Sequence, residues 1–385
     1  MREINQGQQR SHVSKFIYFV LQIMNQKRYP IPVFIMLLCC TAYAQPGGSS
    51  TYDFLNLIPS ASTGAMGGVQ AAARGNDANL FFQNPSVPDS SMDNQAALSM
   101  VRYLASVKYG HAAYVRHCGN AGTYAAGMQF AYYGNFPEAS ENGELSGNTF
   151  SAGDYALYLG WANTLANIPW LRINDRIDTS ISVGVSLKTI YSSMAEYYSV
   201  GLAGDIAATY QNPSGFRASM LMRNMGKELR PYRSGDREPL PFEIQAGVSQ
   251  RLKRAPIALY LTARHLEKFD LTYSDPGNVN VDPLTGESSI KTYGFMEKTM
   301  RHLVAGMELM PSPNLSLRAG YNYQRRKEMG YRSKMGMAGL SWGIGLKVFR
   351  FQLSYAMGIY NAAGTASQFS LSANVSDFCI RKTSK

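Results

Sequence analysis

Histidine and cysteine are the residue types that most often carry nucleophilic or metal chemistry, and here neither has the spacing such chemistry requires. His111 and His117 stand six residues apart, and His265 and His302 flank a long polar segment. No HxxxH or HExxH pair occurs, so two imidazoles cannot share one helix face around a zinc ion. Cys118 has no catalytic companion nearby, and no GxSxG nucleophile turn is present. The glycine-rich GMAGLSWGIGLK at 336–347 lacks the Lys-Ser/Thr ending of a phosphate loop. Its glycines fall in an alternating run and read as strand glycines. Asp53, Asp77 and the His265-Leu266-Glu267 triplet could bind a ligand, though a solvated polar role suits each better. The expectation is a non-enzyme with no catalytic residues, no metal and no cofactor.

A different chemistry is concentrated in GNDANLFFQNPS, residues 75–86. Asn76, Asp77, Asn79 and Asn84 are short polar side chains that hydrogen-bond their own backbone and close turns. They bracket Phe81 and Phe82, and Pro85 follows Asn84. Two Asx turns around an apolar bump is the plain account. A plug or ligand gate is the functional one, and the two phenylalanines favour it because they need a shielded place.

The elements able to shield them lie downstream. The N-terminus reads as a leader: Lys27 and Arg28, an apolar run at 31–40, then Ala42-Tyr43-Ala44 as a cleavage site. Translation is expected to start at Met24, with residues 1–44 removed. What remains carries a net charge of +7, because the leader holds five basic and one acidic residue of a chain at +11. That charge is dispersed, without the basic block or stacking platform that nucleic-acid binding needs. No apolar run approaches the ~20 residues of a spanning helix. Tyrosine is abundant, with 25 residues. A secreted, polar, tyrosine-rich chain without apolar helices fits a transmembrane β-barrel.

Period-two alternation predicts fourteen strands, at 96–104, 107–117, 121–134, 154–165, 180–193, 197–211, 215–226, 240–252, 256–267, 300–310, 314–326, 334–348, 350–360 and 367–378. In the stretch 155–165, one parity carries Leu, Tyr and Trp and the other mainly small residues. Connections sort by length. CGN, NPS, KRA, PSPN and the step at Phe349 are tight, whereas 135–153, 227–239 and 268–299 are long and polar. Alternation of short and long connections is the signature of a membrane barrel with short periplasmic turns and longer external loops. The enlarged segment 166–178 is the exception. The predicted division is a leader at 1–44, a plug-like segment at 45–95, a barrel at 96–378 and a tail at 379–385. Cys118 and Cys379 flank the first strand at its periplasmic end, two strand spacings or roughly 10 Å apart. That exceeds the reach of a disulfide, so free thiols are expected.

Two N-terminal motifs carry a family resemblance. Phe54-Leu55-Asn56-Leu57-Ile58-Pro59 with Ala65-Met66-Gly67-Gly68, followed by Asn84-Pro85-Ser86, resembles the start of the PorV/PorQ family of the type IX secretion system, most closely its PorQ form. That family is similar in fold to the FadL-type transporters. The resemblance implies an all-β, 14-stranded antiparallel outer-membrane barrel with an N-terminal plug-like segment. It implies a place in an attachment complex that links cargo to lipopolysaccharide, holding a PorZ-like surface protein beside PorU- and PorV-like members in outer-membrane lipid. The alternative is a FadL-like transporter of hydrophobic small molecules. A third possibility is a soluble β-sandwich adhesin. In the longest loop Tyr273, Pro276, Asn278, Asn280 and Pro283 would form a polar rim. Tyr293, Phe295 and Met296 would form a partner-binding patch, or else a hairpin packed on its own barrel.

Overall fold

The computed structural model describes residues 50–103, 107–139, 142, 145–168, 180–233, 237–272, 279–281, 288–290, 293–329, 337–361 and 364–378. The expected leader, the tail with Cys379, and Tyr273, Pro276, Asn278 and Pro283 lie outside the described residues. Fourteen antiparallel strands close a barrel, each hydrogen-bonded to the barrel strands before and after it, with the last returning to the first. They are β1 (Gln95–Arg102), β2 (Lys108–His117), β3 (Thr123–Ala139), β4 (Leu145–Thr164), β5 (Ile181–Met194), β6 (Tyr197–Gln211), β7 (Phe216–Arg230), β8 (Glu243–Arg251) and β9 (Ile257–Ala263). After a two-stranded hairpin, β10 (Val279–Val281) and β11 (Ser288–Ile290), come β12 (Leu303–Ser312), β13 (Leu315–Asn322), β14 (Leu340–Val348), β15 (Phe351–Asn361) and β16 (Gly364–Asn374). Closure runs through β1 and β16, in register from Gln95 opposite Asn374 to Arg102 opposite Ser367.

The alternation that predicts the strands also sets their faces. On β5, Gly184, Ser186, Lys188, Ile190 and Ser192 are buried, while Val185, Leu187, Thr189 and Tyr191 are exposed. Large apolar side chains such as Leu98, Leu157, Leu159, Leu187, Ile206, Leu259, Leu353 and Leu371 point out around the ring. Tyr124 and Tyr210 ring one end of this band, and Tyr155 and Tyr191 the other. Apolar outside, polar inside and aromatic at both rims is a lipid-facing surface. No helix among the described residues is long and apolar enough to cross a membrane. The strands cross instead.

Several boundaries differ from those the sequence predicts. Residues 135–153 are mostly strand, because β3 and β4 extend as a tall hairpin with partners out to Ala139 and Leu145. β7 likewise continues to Arg230. The predicted strand at 300–310 begins with a helix, α2 (Phe295–Arg301), and that at 314–326 ends in another, α3 (Tyr323–Met329). Between β5 and β6, on the long-loop end, the turn is tight, with Ala195 at φ 53°. Soft boundaries of this kind arise where residues stand clear of the lipid and alternation loses its physical cause.

Candidate functional site: the filled lumen and the outer rim

Residues 51–94 pack against the inward faces of the strands as short helical turns and coil. A 3-10 turn spans Asp53–Asn56, and a short helix, α1 (Ala61–Ala65), is capped by Ser60 accepting from the Thr63 amide. A further 3-10 turn covers Ala78–Phe82, where Asp77 accepts from the Asn79 amide at 3.0 Å. Asn84 Oδ1 accepts from the Ser86 amide at 2.9 Å, closing a second Asx turn, and its Nδ2 donates to the Ala71 carbonyl at 2.8 Å. Phe81 and Phe82 lie between these turns, buried against each other and against Tyr158. Phe82 also packs edge-on against His111, with ring centroids 4.9 Å apart. Barrel glycines make the room. A Cβ at Gly160 would overlap Phe81, one at Gly127 would strike Phe82, and one at Gly184 would overlap the Pro85 carbonyl. Gly320 and Gly343 receive Met66 and Ala65 in the same way.

The two N-terminal motifs are anchored residue by residue. The Phe54 carbonyl accepts from Gln129, and the Leu55 carbonyl from Arg223 at 3.4 Å. Asn56 Oδ1 accepts from Asn224 at 3.1 Å. Leu57 packs on the core while Pro59 is buried. Gly67 and Gly68 have φ of 97° and 92°, a backbone region glycine enters freely. Gly67 also lies against Val304, and its amide donates to Ser341 Oγ at 2.9 Å. Two motif residues behave differently from their neighbours. The Asn76 side chain is exposed and only its carbonyl is used, by Gln95 at 2.9 Å. The Asn79 amide is fully buried with no hydrogen-bond partner for either terminal atom.

Sequence reasoning missed the charges that clamp this segment. Lys188 Nζ lies 2.7 Å from Asp205 Oδ1 and donates to Asn224 Oδ1 at 2.6 Å, all three groups being buried. Asn224 sits at φ 57° in a bulge, where Arg223 and Asn224 together face Asp205 and the β6–β7 register shifts. Its amide N–H donates to Asp205 at 2.8 Å and its side chain to Asn56 and to the Pro241 carbonyl. Next to it, Arg223 donates to the carbonyls of both Leu55 and Phe82, joining the two motifs at one guanidinium. Glu243 stands 3.0 Å from Arg264, 3.6 Å from His265 and 3.9 Å from Arg223. A lone charge at the small-residue parity of an apolar strand, as in SLKTI, AGDIA and PFEIQ, is the signal that marks such a network.

The remaining histidines each have a local partner. His117 Nδ1 is 2.9 Å from Thr123 Oγ1, and His265 pairs with Glu267 at 3.0 Å. His302 Nδ1 lies 2.7 Å from the Arg264 carbonyl. Cys118 is an exposed free thiol. No group of three potential metal ligands occurs among the described residues.

On the long-loop end a second feature stands clear of the lumen. Strands β8 and β9 have nine and seven residues, against fifteen in β7. The segment after β9 and helix α2 occupy this lower stretch of wall. Phe295 and Met296, each 71% exposed, stand there, with the Phe269 ring tilted against Phe295 at a centroid distance of 5.8 Å. Tyr293 is half-buried, and the Arg301 guanidinium lies 5.1 Å from its ring centroid, so it supports the patch and is not its tip. Lys298 pairs with Asp270 at 2.6 Å, and Glu297 accepts from Tyr323 at 2.5 Å and lies 3.3 Å from Lys327.

No family model matches the chain, and no curated protein matches it. Among solved structures it is similar to a TodX deltaS2S3 mutant monoaromatic hydrocarbon channel, with 13% identity over 82% of this chain and 98% of the other, at a TM-score of 0.47. It is also similar to a FadL homologue from Pseudomonas aeruginosa, with 10% identity over 82% and 97% and a TM-score of 0.43. The outer membrane protein Omp33 of Acinetobacter baumannii aligns at 9% identity over 73% and 96%, with a TM-score of 0.35.

Proposed function

We propose that this chain is a non-enzymatic outer-membrane scaffold of a type IX secretion attachment complex, holding a PorZ-like surface protein beside PorU- and PorV-like members. The supporting observation is an exposed Phe295–Met296–Phe269 patch on a barrel whose inward groups are engaged with residues 51–94. A rigid apolar tip on a salt-bridged helix is the kind of anchor that carries most of an interface's energy. The two N-terminal motifs supply the family assignment. In this reading Phe295 and Met296 enter a pocket on the partner, and Tyr293 holds the helix in place.

The test is retention of the surface partner by cells carrying equal amounts of barrel. Replacing Phe295 and Met296 together by alanine should weaken retention by about 2 kcal/mol or more. Unchanged retention would remove the patch from the interface. A second reading, FadL-like passage of a hydrophobic small molecule, is favoured by the bulge at Asn224. There β7 pairing with β8 ends at Arg223 opposite Glu243 while β7 itself continues to Arg230. Uptake of a labelled hydrophobic solute that depends on this barrel, with no surface partner co-purifying, would establish that reading in place of the scaffold.

A further inference from the structure

The short-turn rim carries a charge pattern that neither the lumen nor the outer patch explains. Between the β6–β7 turn and the β14–β15 turn the connections contribute Arg251, Lys253, Arg254, Lys347 and Arg350, and no acidic residue. No carboxylate among the described residues forms an ion pair with any of them. The turns adjoin one another: the Lys347 amide donates to the Asn314 carbonyl at 2.8 Å, and the Met310 amide to the Pro256 carbonyl at 2.7 Å. Asp377, next to Phe378, forms no ion pair among the described residues either.

Aromatic side chains flank one of these cations, Arg350. Phe349 is 87% exposed at the tip of the β14–β15 turn and has φ 60°. Glycine or asparagine is at ease in that conformation; a bulky side chain is not. Folding alone therefore gives no reason for phenylalanine here. The Arg350 guanidinium lies 5.6 Å from the ring centroids of both Phe349 and Phe378. Phe378 in turn packs 5.4 Å from Phe351, which points outward beside Leu353. Arg350 thus stands at the border of the lipid-facing band, with Phe351 on its membrane side.

We infer that this arc of rim is a docking strip for the anionic headgroups of phospholipids in the leaflet that the short turns face. Cations at headgroup depth attract anionic lipid, and aromatic rings partition to that same depth. The outward position of Phe351 and Phe378 favours lipid over an acidic protein, which would meet the turns end-on.

The barrel can be reconstituted in nanodiscs of equal phosphatidylcholine and phosphatidylglycerol, re-extracted gently, and its retained lipid counted by native mass spectrometry. Phosphatidylglycerol should be retained over phosphatidylcholine about threefold or more, and high salt should erase the preference. A K253Q/R254Q/R350Q variant should bring the two lipids to parity, whereas K253R/R254K should keep the preference. Slower migration on heating, compared with unheated samples, reports that each variant is folded. Equal retention by the wild-type barrel, or an undiminished preference in the folded triple variant, overturns the assignment and would leave an acidic protein as the partner of the strip.

Discussion

At the residue scale the lumen is governed by what inward glycines admit and what buried charges hold. Gly184 faces the Pro85 carbonyl, a backbone atom that cannot rotate away, so alanine there must displace the whole Asn84–Ser86 turn. Gly184→Ala should destabilise the folded barrel by about 1–3 kcal/mol, as overpacking does. Gly204→Ala, whose added carbon meets only the Ser186 carbonyl at 3.1 Å, should cost distinctly less. Urea titration followed by the heat-dependent gel shift separates the two, and equal midpoints would contradict the packing account. Lys188 and Asp205 answer to a different rule. Two desolvated charges attract strongly but lose their hydration, so the pair as a whole contributes little net stability. Removing one partner is another matter. Lys188→Met should cost about 3–5 kcal/mol because Asp205 is left buried and unpaired, while Lys188→Met with Asp205→Leu should recover much of that loss. A double variant no more stable than the single one would show that the Asn224 bonds, and not the charge pair, hold the bulge.

At the element scale the fourteen strands were legible because lipid and lumen impose opposite chemistry on alternate residues, and each predicted strand overlaps one in the barrel. Leu157, Leu159 and Leu187 outside, with Ala156, Gly160 and Ser186 inside, show the rule directly. Legibility failed where that contrast ends. The tops of β3 and β4 carry Pro137, Glu138 and Asn148, which resemble loop residues because both faces there are solvated. Helix α3 hid behind Tyr321 and Tyr323, whose spacing extends the strand pattern of β13 into YQRRKEM. The motif turns at Asp77 and Asn84 were legible from local chemistry, but the bonds from Arg223 to the Phe82 carbonyl and from Asn224 to Asn56 join residues over 130 positions apart and leave no local trace. Helix α2 provides a test of its own. Hydrogen bonds from Lys298 and Thr272 hold the Asp270 carboxyl well below its ordinary range. For Glu297 burial would raise the carboxyl, but Tyr323 and Lys327 outweigh it and lower it. Depressed carboxyls stabilise the element above their unfolded values and lose that contribution as pH falls through the folded ones. Limited proteolysis near α2 should therefore stay slow at pH 7 and accelerate below about pH 4, with the barrel intact. Asp270 is solvent-exposed, so the effect is a local loosening that salt diminishes. A cleavage rate independent of pH across that window would mean that packing of Phe269 on Phe295 holds the helix.

For the whole molecule, the barrel and the segment within it form one packed unit, with Tyr52, Phe54, Leu55, Leu80, Phe81 and Phe82 in the same core cluster as Ala113, Ala125, Tyr158 and Ile190 of the wall. A barrel closes its own backbone hydrogen bonds without help from its contents. Strand pairing runs unbroken around the wall, with bulges such as that at Asn224, so closure does not depend on residues 51–94. What depends on them is whether the lumen conducts. The inward glycines at 127, 160, 184, 320 and 343 present no side chains that could fill the space left behind. Removing 53–90 should therefore leave a barrel that still shifts on unheated gels, less stable than the parent because Lys188, Arg223 and Glu243 lose their screening neighbours. In planar bilayers the parent should show little ionic current and the deletion variant should show steady pores. Gly184→Ala, which disturbs one turn, should produce only brief openings. A parent that conducts as freely as the deletion variant would mean that the segment leaves a continuous path through the barrel, and the passage of solutes would then replace the scaffold proposal.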